Sequence, residues 1–200
     1  MSQILNEYFG SVFTEEDVSK IPEIKSRIND SDQNMKLEDF DINKDKVTKI
    51  LSSLKVNKAA VVDGLPSTFL SMLGGAIVEP LTILFKRSLD HCEIPVDWKR
   101  ANISAIFKKG SKKDPGNYRP VSLTSHAGKL FEKLVKEEIV QHLERNKLIN
   151  SSQHDFMQHK SCLTNLLEFN EYVCRHVDEG KAIDVVYLDF QKAFDKGATL

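Results

Sequence analysis

The feature that most constrains the fold is an apolar run near the C-terminal end of the chain, from Ile183 to Phe190. The run is rich in β-branched and aromatic residues, which favours a strand covered on both faces over a helix. Asp189 stands at its tip, and Asp195 follows at the start of a predicted helix. A strand end holds a carboxylate rigidly, so this pattern is typical of enzymes that bind two metal ions. The simpler alternative is a strand whose Asp caps the next helix.

A basic β-hairpin is predicted in the middle of the chain. Residues 101–107 alternate in polarity like a half-exposed strand, residues 114–117 read Asp-Pro-Gly-Asn and predict a turn, and residues 118–123 return as a second strand. Residues 99–119 carry seven basic side chains and one acidic side chain, whereas residues 1–50 carry seven basic and eleven acidic. Any phosphate-facing surface is therefore expected on the hairpin. A solvated, Lys-rich loop remains the alternative.

Helical periodicity predicts the other elements. Helices are expected near residues 3–9 and over residues 44–54, 67–73, 77–90 and 163–177, with Ser67 as a possible cap. A long amphipathic helix is expected from the helical spacing of Leu130, Phe131, Leu134, Val135, Ile139 and Leu143. Trp98 is expected to anchor the entry of the hairpin in the core. We expect an acidic, linker-like extension over residues 1–45 and one domain over residues 46–200.

Composition places the chain in an ordinary globular class. The net charge of the 200 residues is −1, so the whole-chain balance does not indicate nucleic-acid binding. Cys92, Cys162 and Cys174 are odd in number and lack a Cys-x-x-Cys spacing, which predicts reduced thiols. No uninterrupted apolar stretch is long enough to span a membrane, and the N-terminus lacks a secretory pattern. We therefore expect an intracellular protein, either cytoplasmic or nuclear, without a membrane partner.

A possible zinc motif is formed by His154, His159 and Cys162. Structural zinc sites usually have four ligands arranged in close pairs, and no fourth ligand stands at a familiar spacing here. The pattern therefore disfavours zinc, although Cys174 or His176 could complete a set.

The stretch Tyr187-Leu-Asp-Phe-Gln-Lys-Ala-Phe-Asp195 closely resembles the first catalytic motif of reverse transcriptases from non-LTR retrotransposons of the LINE type, jockey-like elements among them. The resemblance continues upstream, in the same order, over most of the chain. The segments that carry it are residues 5–14, 58–66, 95–99, 107–110, 117–123, 128–129 and 153–162.

Several positions depart from the family's pattern. The family's Gly-Pro before Asp63 is Val61-Val62, its Gly and Arg around Phe156 are Asp155 and Met157, and its later Arg is Lys160. Residues 197–199 replace its Val-Pro-His. Because Met157 cannot donate a hydrogen bond, a basic contact of the family is missing there. The family's second acidic motif does not occur in the 200 residues.

The resemblance implies an α+β fold: the fingers subdomain and first palm strand of a right-hand reverse transcriptase, largely helical, with the basic hairpin. It implies an RNA-directed DNA polymerase that uses Mg²⁺ with an RNA template and a DNA primer. Asp189 would be catalytic and a metal ligand, and the Phe190 carbonyl would assist. Lys108, Arg119 and Phe194 would bind the nucleotide, and Lys109, Lys112 and Lys113 would bind nucleic acid. Asp195 would serve as a helix cap or as a support for the metal ligands.

We expect this chain to lack activity on its own, because a two-metal site needs acids from both motifs. The sequence leaves two alternatives open: a nucleic-acid-binding module without chemistry, and an interaction scaffold derived from the same domain. An unpaired apolar strand over 183–190 would also promote self-association.

Overall fold

The computed structural model describes residues 2–12, 37, 40–56 and 62–189. Six α-helices and two strands are defined within these ranges: α1 (Ser2–Val12), α2 (Lys44–Ser52), α3 (Ser67–Leu73), α4 (Val78–Asp90), β1 (Ala101–Phe107), β2 (Tyr118–Thr124), α5 (His126–Arg145) and α6 (Cys162–Asp178). Each matches a helix or strand predicted from the sequence. Most of the predicted linker, together with Phe190, Phe194 and Asp195, lies outside the described residues.

The chain divides into two compact units, with residues 1–141 in the first and residues 142–194 in the second. The helical core and the hairpin belong to the first unit. Helices and a small antiparallel sheet make the fold a mixed one, as the sequence predicted.

Helix α2 begins at a side-chain cap and buries one face. Asn43 Oδ1 accepts a hydrogen bond from the backbone N–H of Lys46 at 3.0 Å, which satisfies one of the free donors of the first turn. Val47, Ile50 and Leu51 are the buried residues of the helix, and they lie on one face of it. The burial of three apolar side chains in nine residues fixes this short helix, since its propensity alone would leave it marginal.

The predicted cap of α3 was wrong by one position. Pro66, in an extended conformation, occupies the N-cap, and Ser67 is the first helical residue and fully buried. Proline before the helix supplies a fixed φ of −66° at the cap. The residues Asp63-Gly64-Leu65-Pro66 in the sequence are typical of a turn, and the structure has one there: Asp63 Oδ1 accepts from the N–H of Leu65 at 3.0 Å, and Gly64 has φ +67°.

Three aromatic rings form the centre of the first unit. The ring centroids of Phe85 and Trp98 are 5.8 Å apart, those of Phe85 and Phe131 are 5.4 Å apart, and those of Trp98 and Phe131 are 5.6 Å apart. These spacings suit favourable edge and tilted ring contacts. Gly128 lies against Trp98, because a Cβ on this glycine would come within 3.2 Å of the indole Cγ. The prediction that Trp98 anchors the entry of the hairpin is confirmed.

Polar contacts join α2 to α5 beside this core. Lys46 forms an ion pair with Glu138 at 2.5 Å, and both side chains are partly shielded from solvent. Lys133 Nζ donates to the Oγ of Ser53, the residue that ends α2, at 2.6 Å. The end of α2 is thus held against the second turn of α5.

The segment Ser67–Asp90 is apolar and helical enough to cross a membrane by length and composition alone. A core helix of a globular domain can meet the same criterion. Here a 3₁₀ turn over Gly74–Ile77 interrupts the segment, and Leu70, Leu81 and Phe85 belong to the core cluster. We therefore interpret it as a packed pair of helices, α3 and α4.

Strands β1 and β2 form an antiparallel hairpin. The register runs from Ala101 opposite Thr124 to Phe107 opposite Tyr118. The connection contains the predicted turn, here a 3₁₀ turn over Pro115–Asn117. Apolar side chains on both faces, Ile103 and Ile106 among them, are exposed.

The second unit contains α6 and the loops around it. Ser161 and Thr164 form a reciprocal capping box at the start of α6. The helical periodicity over residues 163–177 also led us to expect that Leu166 would be buried. This expectation was wrong, since no residue of α6 is buried and Leu166 is 55% exposed. Amphipathic periodicity predicts a helix, but burial also requires a facing layer, which the described residues of this unit do not provide.

The predicted strand over residues 183–190 is absent from the described residues. Residues 181–189 have no regular secondary structure, and the Leu188 side chain is 89% exposed. A strand exists through its hydrogen bonds to a neighbour, and the described sheet contains β1 and β2 alone. The apolar, β-branched composition of this segment favours a strand, but a strand also needs a neighbouring strand to pair with.

We predict that Phe85→Ala lowers the free energy of unfolding by about 3 to 5 kcal/mol, because the ring is fully buried at the centre of the aromatic cluster. Chemical denaturation followed by circular dichroism measures this change. Met72→Ala, at an 84% exposed helix position, is the matched control and should change stability by less than about 0.5 kcal/mol. Equal losses from both variants would show that the aromatic cluster is not the centre of stability.

We also expect the exposed apolar segment Val185–Leu188 to promote self-association, because β-branched and aromatic segments without a pairing partner recruit other chains. Val186→Ser combined with Leu188→Ser should shift the protein toward the monomer in sedimentation velocity at matched concentration. Phe156→Ser removes an equally exposed aromatic side chain from a loop and serves as the control. A monomeric parent protein, or an equal shift from the control, contradicts this expectation.

Candidate nucleic-acid interface

The tip of the hairpin is the ten-residue connection 108–117, which we call the lysine loop. Its base is closed by a hydrogen bond from the N–H of Lys108 to the carbonyl of Asn117 at 2.8 Å. One residue pair further in, the rings of Phe107 and Tyr118 meet edge to face with centroids 5.5 Å apart. The aromatic pair stabilises the strand ends from which the loop projects.

Side chains inside the lysine loop hold its backbone in one conformation. Asn117 Nδ2 donates to the carbonyl of Ser111 at 3.1 Å, and Tyr118 Oη donates to the carbonyl of Lys112 at 2.9 Å. Asp114 Oδ1 accepts from the N–H of Gly116 at 2.8 Å, as expected for an Asx turn. Gly110 has φ +87°, and a Cβ there would lie 2.7 Å from Asn117 Nδ2. The lysines therefore project from a loop whose backbone is held by hydrogen bonds.

The four lysines of the loop are exposed and available to a ligand. Within the described residues, Lys108, Lys109, Lys112 and Lys113 form no ion pairs. The ammonium of Lys112 lies 5.8 Å from the centroid of the Phe107 ring, within the range of a cation–π contact. Asp114 is the acidic residue of the loop, and its carboxylate is engaged in the turn. The tip therefore has a concentrated, weakly compensated positive charge, which suits a polyanion.

Arg119 lies at the same end of the hairpin as Lys108. It stands opposite Ile106 in the register, next to the Phe107–Tyr118 pair, and Lys108 directly follows that pair. Both side chains are exposed. The structure thus brings together the two basic residues assigned to nucleotide binding and the three assigned to nucleic-acid binding.

Asp189 lies in the second unit, in the exposed segment without regular structure. Among the described residues, no three His, Cys, Asp or Glu side chains come close enough to hold a metal ion. A single exposed carboxylate does not provide the several oxygen ligands that Mg²⁺ needs from protein and substrate. The described residues therefore do not form a magnesium site. Phe190 and Phe194 lie outside the described residues.

His154, which the sequence placed in a possible zinc motif, has a different role. The imidazole is buried, with Nδ1 3.0 Å from Thr164 Oγ1 and Nε2 2.7 Å from Glu168 Oε2. Both ring nitrogens are therefore occupied by side chains of α6. These contacts fasten the loop before α6 to the helix, which is a structural role.

A second group of basic residues was missed by sequence reasoning. Lys55, Lys129 and Lys133 line one cavity of the first unit, together with His126. Local charge counts overlooked them because they come from distant parts of the chain. The spacing of Lys129 and Lys133, four residues apart on a predicted helix, was the available signal.

Comparison with known proteins shows a similarity to reverse transcriptases. Residues 107–196, which include the lysine loop, α5, α6 and Asp189, match the family model of reverse transcriptase (RNA-dependent DNA polymerase). The chain is 30% identical over 159 residues to a retrovirus-related Pol polyprotein from a type-1 retrotransposable element of Bradysia coprophila. It is 26% identical over 153 residues to the RNA-directed DNA polymerases from mobile element jockey of Drosophila melanogaster and Drosophila funebris.

These matches cover most of this chain and a small part of each relative. They span 78% of the chain and 15% of the Bradysia protein, and 76% of the chain and 17% of each jockey protein. Reverse transcriptases generally use divalent metal ions. The resemblance read from the motifs is confirmed: residues 107–196 are similar to a reverse transcriptase domain, and the relatives come from non-LTR retrotransposons.

Proposed function

We propose that this chain is the part of an RNA-directed DNA polymerase that grips the nucleic-acid backbone, with an RNA template and a DNA primer as its partners. The contact is made by the lysine loop and Arg119. The observation that carries the proposal is the rigid presentation of four exposed lysines at the tip of a hairpin inside the reverse transcriptase match.

Two properties of the lysine loop favour binding to phosphates: its positive charge and its ordered backbone. Ammonium groups bind phosphate oxygens as point charges, and neutralising phosphates releases condensed counterions. A loop that is already ordered loses little conformational entropy when it binds. Its contacts are to phosphates and not to base edges, so binding should depend little on sequence.

The proposal extends to the subdomains of the polymerase and to the residues that contact the nucleotide. The first unit, with the hairpin, corresponds to the fingers of a right-hand polymerase, and residues 183–190 correspond to the first palm strand. Lys108 and Arg119 would contact the phosphates of the incoming nucleotide, since guanidinium and ammonium groups both suit that role. Phe194 would pack against its sugar, as the family resemblance implies.

Asp189 would contribute one magnesium ligand in this assignment, with help from the Phe190 carbonyl. The proposal rests on the motif resemblance and on the accessibility of the Asp189 carboxylate. Because the described residues do not form a metal site, no catalytic step is assigned to them.

An interaction scaffold is the second candidate, and the apolar surface of α6 favours it. Leu163, Leu167 and Tyr172 are all more than half exposed on this helix. Such a surface suits a protein partner. A scaffold would need no contribution from the lysine loop, so the binding experiment that follows separates the two candidates.

We predict that the protein binds single-stranded RNA weakly, with little dependence on sequence and with affinity that falls steeply as salt rises. Replacing Lys108, Lys109, Lys112 and Lys113 together by Ala should reduce the slope of log affinity against log salt concentration by about 0.7 for each phosphate that the variant no longer neutralises. Fluorescence anisotropy over a salt series measures this slope.

The matched control replaces four exposed lysines of α2, α4 and α5, Lys44, Lys49, Lys86 and Lys136, by Ala. It makes the same change in net charge at positions away from the lysine loop. The proposal requires the control to keep most of the slope. Equal slopes for the two variants would assign binding to overall charge, and undetectable RNA binding by the parent protein would favour the scaffold.

We further predict that the 200-residue chain alone does not extend a DNA primer on an RNA template with magnesium or manganese. The 200 residues contain no Asp-Asp pair, whereas a two-metal mechanism needs acids beyond the first motif. Single-nucleotide incorporation on a labelled primer is the measurement, with Asp189→Asn as the control. Incorporation that the Asn variant abolishes would overturn this prediction and restore full catalytic competence to the chain.

A further inference from the structure

Helix α1 packs against the tip of the hairpin. Among the helices and strands of the described residues, the 3₁₀ turn over Pro115–Asn117 is the element that α1 contacts most extensively. This turn is part of the lysine loop, and both α1 and the turn belong to the first unit. The N-terminal helix, although distant in sequence, is therefore a structural neighbour of the basic loop.

The partly buried side of α1 is an apolar stripe. Leu5, Tyr8, Phe9 and Val12 are half-buried and recur at the spacing of one helix face, whereas the other residues of the helix are exposed. An isolated helix of eleven residues is marginal in water. The structure of α1 therefore depends on the surface against which this stripe packs.

Tyr8, in the middle of the stripe, lies directly against the turn. A Cβ added to Gly116 would come within 3.2 Å of Tyr8 Oη and 3.7 Å of Tyr8 Cζ. The same Cβ would come within 3.2 Å of Asp114 Oδ1, which accepts from the N–H of Gly116 at 2.8 Å. Gly116 is thus in close contact with the phenolic ring and with the carboxylate that forms the turn.

The backbone conformation of Gly116 does not account for a glycine at this position. Of the two glycines in the lysine loop, Gly110 has φ +87°, whereas Gly116 does not have a positive φ. A left-handed backbone explains the first glycine. The close approach of Tyr8 and Asp114 explains the second, because a side chain at 116 would have to displace one of them.

Hydrogen bonds connect this turn to the rest of the lysine loop. The N–H of Asn117 donates to the carbonyl of Asp114 at 3.1 Å, and Asn117 Nδ2 donates to the carbonyl of Ser111 at 3.1 Å. Asn117 Nδ2 also lies 3.3 Å from Asp114 Oδ2. Support that Tyr8 gives to the turn therefore reaches the segment between Ser111 and Asp114, which carries two of the lysines.

The contact with α1 leaves the charge of the loop in place. The four lysines of the loop are exposed beside the docked helix. Helix α1 contains one acidic side chain, Glu7, and its carboxylate accepts from Gln3 Nε2 at 3.0 Å within the same helix. Helix α1 thus supports the loop without neutralising it.

We propose that Tyr8 is a positioning residue of the lysine loop. The docked α1 holds the turn over residues 115–117 and thereby keeps the loop in the conformation that presents its lysines. The consequence for binding rests on the proposed function, because it requires that the loop contact a nucleic-acid backbone. The ordering of the loop by α1 does not rest on it and is measurable in the free protein.

The first test is amide hydrogen exchange of the free 200-residue protein, followed by nuclear magnetic resonance. Tyr8→Ala should lower the protection of the Gly116 and Asn117 amides, because the hydrogen bonds of the turn then open more often. Alanine has the highest helix propensity, so the variant does not weaken α1 through propensity. Ile4→Ala, at a 54% exposed position of the same helix, is the matched control and should leave this protection unchanged.

The second test is the binding of single-stranded RNA over a salt series. Tyr8→Ala should weaken binding about three- to tenfold, since the loop must then be ordered when it binds. The slope of log affinity against log salt concentration should stay the same, because the number of neutralised phosphates is unchanged. This result differs from that of the fourfold lysine variant, which lowers the slope.

Gly116→Ala tests the same contact from the side of the loop. In the parent protein it should lower the protection of the Asn117 amide, because the added methyl displaces the Tyr8 ring. In the Tyr8→Ala background the same substitution should have a smaller effect, since the ring is already gone. Equal effects in the two backgrounds would mean that the two residues act independently and would overturn the inference. The fluorescence of Trp98 in the core reports whether each variant is folded.

The outcomes separate this inference from the proposed function. Unchanged protection in Tyr8→Ala overturns the inference even if RNA affinity falls, because Tyr8 would then act by touching RNA itself. If RNA binds with the predicted salt slope while the protection is unchanged, the proposed function stands without a role for Tyr8. If the parent protein binds no RNA but Tyr8→Ala lowers the protection, the proposed function fails and the positioning of the loop by α1 stands.

Discussion

The contact between Trp98, Phe85 and Phe131 is the constraint on which the first unit depends. Three rings within 6 Å of one another tie α4, the turn before β1 and α5 into one cluster. Gly128 permits this approach, because a side chain at that position would press against the indole. Large rings bury much apolar surface each, and Phe85 and Phe131 belong to the buried core with Trp98 packed against it.

The same core holds the hairpin at the start of β1 and at the end of β2. Trp98 precedes β1 by three positions, and β2 leads through the buried Ser125 directly into the buried start of α5. The strands themselves bury little surface, with exposed apolar side chains on both faces. Their orientation is therefore set where they enter and leave the core, and the aromatic pair at the far end keeps the lysine loop closed. The apolar cluster at the base of the hairpin therefore fixes the position of the positively charged lysine loop at its tip.

The sequence predicted the local structure well, because local structure depends on local patterns. The period of Leu130, Phe131 and Leu134 predicted α5 and its buried face, and alternating polarity with a turn predicted the hairpin. The lysine loop was found for the same reason, since its charges are adjacent in sequence. The cavity was missed because Lys55 and Lys129 become neighbours only through the packing of α2 on α5.

Two of the incorrect expectations share a physical cause. Leu166 was expected to be buried and the segment around Leu188 was expected to form a strand, and both are exposed. Periodicity and composition describe what a segment can bury or pair, whereas the burial and the pairing themselves belong to a second element. The second unit lacks that element within its described residues.

The central claim is that the lysine loop, and not the general surface, contacts nucleic acid. Lysine acetylation footprinting by mass spectrometry, with and without saturating single-stranded RNA, tests it directly. We predict protection of Lys108, Lys109, Lys112 and Lys113, with Lys44, Lys49 and Lys86 acetylated equally in both samples. Uniform protection of all exposed lysines, or protection that spares residues 108–113, would contradict it.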